Sequence, residues 1–171
     1  EVILKKLSEK KMKALFFCVG DNVQKYSNLV RDILSEGHSI GNHTFNHKIL
    51  KTLTTEEKDF QISSVNNLFA ENFSISLKYF RPSHGKFQLS TSSLMKKHRL
   101  KNVMWSLLTY DYKNDLSIVK FAVEKYLKPD SIIVLHDSNK SKNIISDSIS
   151  FIADEVEKRN YQFGEAEECL S

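Results

Sequence analysis

An α/β fold with a parallel sheet, open or closed into a barrel, is the class this 171-residue sequence predicts. Three observations predict it. Short apolar runs alternate along the chain with segments whose apolar residues recur at helical spacing. The runs are continuously apolar, as in strands buried on both faces. Polar residues suited to chemistry follow the runs directly, where the carboxyl ends of parallel strands gather active sites.

Taken in order, residues 2–12 place Ile3, Leu4 and Leu7 on one face among lysines, an amphipathic helix entered part-way. Ala14 to Val19, ending at Gly20, is the first buried strand. Asp21 or Asn22 can cap the next helix, which carries Val23, Tyr26, Leu29, Val30, Ile33 and Leu34 and ends at Gly37. His38 to Gly41 is a short second strand. Thr54 and Glu57 form a capping box that opens a helix bearing Phe60, Ile62, Val65, Leu68 and Phe69. A strand at Tyr79-Phe80, a loop from Arg81 to Gly85, a helix near Ser92 to His98 and a fourth strand from Val103 to Leu107 follow. Asp115 caps a helix over 116–127 that Pro129 stops, Ser131 to Leu135 is the fifth strand, and Ile144 to Arg159 is a long last helix.

Composition narrows the function. The chain is long enough for one core, and its 40% hydrophobic and 27% charged residues with 5 Gly and 2 Pro exclude collagen-like and disordered chains. The net charge of +4 comes from scattered rather than clustered basic residues, which gives a nucleic-acid partner little support. Cys18 and Cys169 form no CxxC pair and suggest neither metal nor redox chemistry. No apolar run approaches the roughly 20 residues of a membrane-spanning helix. The chain begins at Glu1 without an initiator Met or a signal peptide, so either a leader has been removed or the chain belongs to something longer.

His43 and His47 follow the second strand, Arg81 and His84 the third, Asp111 the fourth and His136-Asp137 the fifth. The i, i+4 spacing of His43 and His47 puts both imidazoles on one face of a helical turn, which suits zinc or a similar divalent ion, and a catalytic zinc site needs a third protein ligand. Read alone, such a pair is more often caps, surface or packing. His136 emerges where a buried strand opens, either as a strand-end histidine satisfied by backbone or as a general acid whose tautomer Asp111 fixes. Asp137 reads as a turn or cap residue. Arg81 either packs or orients a carboxylate with its forked donors, and the backbone of Ser83-His84-Gly85 can supply an oxyanion-binding N–H. His38 and His98 remain structural or surface residues.

These residues resemble the polysaccharide deacetylases of the NodB-homology type, carbohydrate esterase family 4. Ala-Leu-Phe-Phe-Cys-Val-Gly at 14–20 is similar to the family's ATFFxxG strand, and residues 37–47 to its GHxIGNHTxxH motif. Tyr79 to Gly85 resembles the FRPPxG loop, Trp105 to Tyr112 the motif ending in Asp-Trp, and Ile132 to Asp137 the closing LLHD. The resemblance implies a single domain over 1–171 with a distorted (β/α) barrel, and a metal-dependent hydrolase that removes acetyl groups from N-acetylated sugars of chitin-like or peptidoglycan-like glycans. It implies that His43 and His47 bind the metal, zinc by preference. His136 is then the general acid oriented by Asp111, and Arg81 orients the base. Leu135 and Tyr112 wall the acetyl pocket, and the His84 N–H helps bind the oxyanion. Many relatives act at the cell envelope or outside the cell.

The family's first motif, TFDDGP, lies on a strand and loop before the first helix, and its two aspartates supply the base and the third metal ligand. This sequence starts inside that helix, so the first strand and both aspartates are expected upstream of Glu1. The 171 residues alone are then expected to be inactive or impaired. A non-catalytic carbohydrate-binding or structural relic is the alternative. Tyr112 for the usual Trp, Leu108 for an Asp and Ser83-His84 in the third motif are further departures. With the first strand missing, the exposed edge of the strand at 14–19 is expected to favour self-association.

Overall fold

The apolar run at 14–19 forms β1 (Leu15–Cys18), which pairs in parallel with β2 (Ser39–Asn42) from Leu15 opposite Ser39 to Cys18 opposite Asn42. The computed structural model describes residues 1–87 and 91–170. They fall into two compact units, one spanning Leu15–Met104 and one made of Glu1–Ala14 with the residues from Trp105 onward.

In the Leu15–Met104 unit the sheet order is β1-β2-β3-β4, all parallel, with β3 at Tyr79–Phe80 and β4 at Lys101–Asn102. The four residues of β1 are half-buried, as suits a strand paired on one side, whereas the sequence pattern predicts burial on both faces. The helix expected between the Asp21 or Asn22 cap and Gly37 is two helices, α2 (Gly20–Lys25) and α3 (Ser27–Ser35), separated at Tyr26. Among the described residues no side chain caps α2. Its first N–H groups instead donate from Gly20 to the Thr44 carbonyl (3.0 Å) and from Asp21 to the Phe45 carbonyl (2.8 Å). Loop 43–49 therefore satisfies the helix end that Asp21 or Asn22 was expected to cap.

The capping box at Thr54 and Glu57 opens α4 (Thr55–Phe73), where Glu57 N–H donates to Thr54 Oγ1 (3.2 Å) and Thr54 N–H to Glu57 Oε2 (2.8 Å). Ile62, Val65 and Phe69 on α4 are wholly buried, each contributing about 1.5–3 kcal/mol relative to an exposed side chain. Asp59, on the same helix, pairs with Lys97 (2.8 Å) and His98 (2.7 Å) at the end of α5 (Ser92–Lys97). Lys97, and then His98, holds the Asp59 carboxyl below the usual aspartate range. A depressed carboxyl stabilises the fold above its unfolded pKa and loses that contribution as pH falls through the folded value. Acid titration of the wild type against Asp59→Asn is expected to show a stability difference at neutral pH that shrinks below about pH 4. A difference independent of pH would contradict the pairing.

The second unit holds α1 (Val2–Glu9), β5 (Leu107–Leu108), α6 (Leu116–Tyr126), β6 (Ile133–Val134), α7 (Ile145–Lys158) and α8 (Ala166–Cys169). β5 and β6 pair in parallel, Leu107 opposite Ile133 and Leu108 opposite Val134. Leu107, Val119, Val123, Leu127, Ile152 and Val156 form the core beneath them. Asp115 caps α6 through the Ser117 N–H (2.9 Å), as expected. α1 packs against α7, with Leu4 and Leu7 buried and Lys10 paired with Asp154 at 2.7 Å.

The strand expected over 103–107 is split between the units. β4 ends at Asn102, and the carbonyls of Val103 and Met104 accept from the Arg81 guanidinium instead of from a neighbouring strand. The strand expected over 131–135 shortens to two residues, because the Ile132 carbonyl receives the N–H groups of both Ser106 and Leu107.

Candidate functional site

β2 ends at Asn42, and the next residue is His43, whose N–H continues the ladder to the Cys18 carbonyl at 3.1 Å. His43 Nδ1 lies 2.7 Å from the Arg81 carbonyl. A carbonyl only accepts, so Nδ1 carries a proton, and Nε2 is the nitrogen that could serve as a metal ligand. The His47 ring centroid is 4.9 Å from that of His43, and the His84 ring 4.7 Å from that of His47.

The two histidines meet by a route that the i, i+4 spacing does not describe. Residues 43–49 make no helical turn, and Thr44 (φ 68°) and His47 (φ 59°) are left-handed. Buried polar groups impose this shape. Asn42 accepts from the Thr44 N–H (2.9 Å) and donates to the Ile62 carbonyl and to Asn66 Oδ1 on α4 (2.9 Å each). Gln61 Oε1 accepts from the N–H groups of both Phe45 and Asn46 (3.1 Å each), and Thr44 Oγ1 meets Ser83 Oγ at 2.9 Å. Asn42, Thr44, Gln61 and Ser83 are all buried.

Sequence reasoning missed Gln61 altogether, although its signal was present: an amide four residues before Val65 on the apolar face of α4. Gln61→Leu leaves two backbone donors unpaired and is expected to cost about 2 kcal/mol. Urea denaturation checks this, and an unchanged midpoint would refute the role.

Arg81 is buried at 9% exposure. Its Nε donates to the Val103 carbonyl (2.9 Å), its Nη2 to the Met104 carbonyl (3.0 Å), and the guanidinium lies 4.2 Å from the Phe17 ring centroid. Burial lowers its pKa to about 10, so it stays cationic at neutral pH. The following loop turns through two left-handed residues, His84 (φ 57°) and Gly85 (φ 65°), with the His84 side chain exposed.

In the other unit, Asp111 is wholly buried. Its Oδ2 accepts from the His136 N–H at 2.6 Å and its Oδ1 from His136 Nδ1 at 2.7 Å. The Thr109 hydroxyl, a group the sequence reading did not single out, lies 2.8 Å from the Val134 carbonyl and 3.2 Å from Asp111 Oδ1. The carboxylate thus orients the backbone and the ring of one histidine, whose side chain is 42% exposed. Tyr112 stands edge-on to His136, ring centroids 5.3 Å apart, and Leu135 packs against the core of this unit.

The structure thus groups His43, His47, Arg81 and His84 in one unit and Asp111, Tyr112, Leu135 and His136 in the other. The imidazoles of His43 and His47 suit a first-row divalent ion as a ligand pair. Among the described residues no cluster of three His, Cys, Asp or Glu is arranged to hold one. No helix among them is long and apolar enough to cross a membrane.

The family model for polysaccharide deacetylases matches residues 1–103. A peptidoglycan-N-acetylglucosamine deacetylase of Bacillus cereus is 31% identical over 98% of this chain and 80% of its own length. The uncharacterized protein YlxY of Bacillus subtilis is 25% identical over 99% of this chain and 52% of its own. A second peptidoglycan-N-acetylglucosamine deacetylase of Bacillus cereus is covered over 40% of its length, so the chain spans about half the length of YlxY and of this second deacetylase. Among solved structures, the Bc1960 peptidoglycan N-acetylglucosamine deacetylase superposes with a TM-score of 0.93 at 26% identity, covering 98% of this chain and 79% of that one. A family 4 pseudoenzyme from Bacillus anthracis superposes at 0.90 with 22% identity, over 99% of this chain and 59% of that one, a likeness of fold alone. The α/β architecture is that of the family 4 deacetylases.

Proposed function

We propose, since the chain belongs to the polysaccharide deacetylase family, that the intact protein is a metal-dependent hydrolase of N-acetyl groups on a chitin-like or peptidoglycan-like glycan. The observation that carries this reading is the buried Asp111 carboxylate bonded to both Nδ1 and the backbone N–H of half-exposed His136. A binding module has no need of it. A general acid does, because the carboxylate fixes the ring's orientation and turns Nε2 outward.

In the proposed reaction water adds to the acetyl carbonyl carbon, the C–N bond breaks, and acetate and a free amine result. His43 and His47 would hold a divalent ion, zinc by preference, which would supply polarisation of the amide carbonyl and of the attacking water. The His136 imidazolium passes its Nε2 proton to the departing amine nitrogen. The His84 N–H steadies the carbonyl oxygen as it gains charge, Tyr112 and Leu135 wall the acetyl methyl, and Arg81 orients the carboxylate base. A cell-envelope or extracellular site of action goes with such a substrate.

The second reading is a non-catalytic carbohydrate-binding or structural relic of the family, and on its side stands that no three His, Cys, Asp or Glu side chains among the described residues are arranged to hold a metal ion. Mass spectrometry of N-acetylated oligosaccharides incubated with the intact, metal-loaded protein separates the two. Stepwise loss of acetyl groups is expected. Binding with no acetyl loss would leave the second reading.

A further inference from the structure

The strongest unabsorbed feature is a row of half-exposed rings leading away from His136. Tyr112 stands edge-on to His136 at 5.3 Å, and Tyr110 edge-on to Tyr112 at 6.0 Å. Tyr110 and Tyr112 are 39% and 38% exposed, whereas the core of this unit is filled by aliphatic side chains. Tyr110 also sits at φ 57°, ψ 25°, a left-handed conformation that favours Gly or Asn. A large aromatic side chain at that position is disfavoured by its backbone and leaves part of its ring open to water. Lys113 Nζ lies over its ring, 5.4 Å from the centroid, placing a hydrogen-bond donor beside an aromatic face.

We propose that Tyr110 with Lys113 forms a pyranose-binding platform, taking the sugar next along the chain from the one whose acetyl group His136 serves. The inference rests on the deacetylase reading of His136. A pyranose ring offers an apolar C–H face to the aromatic ring and equatorial hydroxyls to the ammonium group. Tyr112 lies between platform and acid, so a single sugar held at His136 leaves Tyr110 uncovered and a longer chain covers it. Tyr110 therefore governs preference for chain length rather than the chemical step.

The test is calorimetric affinity of the intact protein for the mono- and tetrasaccharides of N-acetylglucosamine, comparing wild type, Tyr110→Asn and Tyr110→Phe. Asparagine accepts the left-handed backbone and removes the ring, so the loop keeps its course. Tyr110→Asn is expected to weaken tetrasaccharide binding roughly threefold to tenfold and to leave the monosaccharide unaffected, with Tyr110→Phe close to wild type. Equal losses for both sugars, or none, in a protein that still removes acetyl groups would overturn the platform and leave the deacetylase reading standing. A wild type that binds neither sugar and removes no acetyl group would overturn both.

Discussion

Replacing His136 by alanine in the intact protein is expected to lower turnover on an N-acetylated oligosaccharide by roughly 10²- to 10⁴-fold, the usual loss with a general acid. Removing the imidazole leaves the buried Asp111 carboxylate with the His136 backbone N–H and without its ring partner. Some loss of stability accompanies the loss of rate, because a buried carboxylate loses one of its hydrogen bonds. His136→Gln, which keeps a donor near Asp111 but cannot carry the proton, separates the two effects. It should fold more stably than the alanine variant and be as slow. Turnover within a few-fold of wild type in either variant would remove His136 from the mechanism.

The second large effect concerns the metal. His43→Ala is expected to weaken zinc binding by the intact protein on the order of 10²-fold or more, since even a group supporting a ligand typically contributes 10- to 100-fold. The lost imidazole is one whose Nδ1 proton the Arg81 carbonyl already holds in place. Competition against a chromophoric chelator reads this without reference to activity. An unchanged zinc affinity would show that the ion binds elsewhere.

Much of this organisation was legible in the residues themselves, and the exceptions share one cause. Helices whose ends are set by neighbouring residues were read correctly: the Thr54–Glu57 box opens α4 and Asp115 caps α6. The placement of polar side chains just after strands was legible too, because it follows from parallel topology. Features decided by distant partners were not. The strand expected at 103–107 breaks because Arg81, more than twenty residues earlier, takes two of its carbonyls. The histidine pair reads as a helical turn in the sequence, yet Asn42 and Gln61 hold the loop in a left-handed course. Local spacing draws attention to the pair, but buried amides on other elements determine its geometry.

Metal-dependent amide hydrolysis is the central claim, and one measurement addresses it most directly. Acetate released from an N-acetylated oligosaccharide by the intact protein is followed through chelation, dialysis and return of zinc. The account predicts release that stops on chelation and recovers with stoichiometric zinc. Release unaffected by chelation, or none from the zinc-loaded protein, would contradict it.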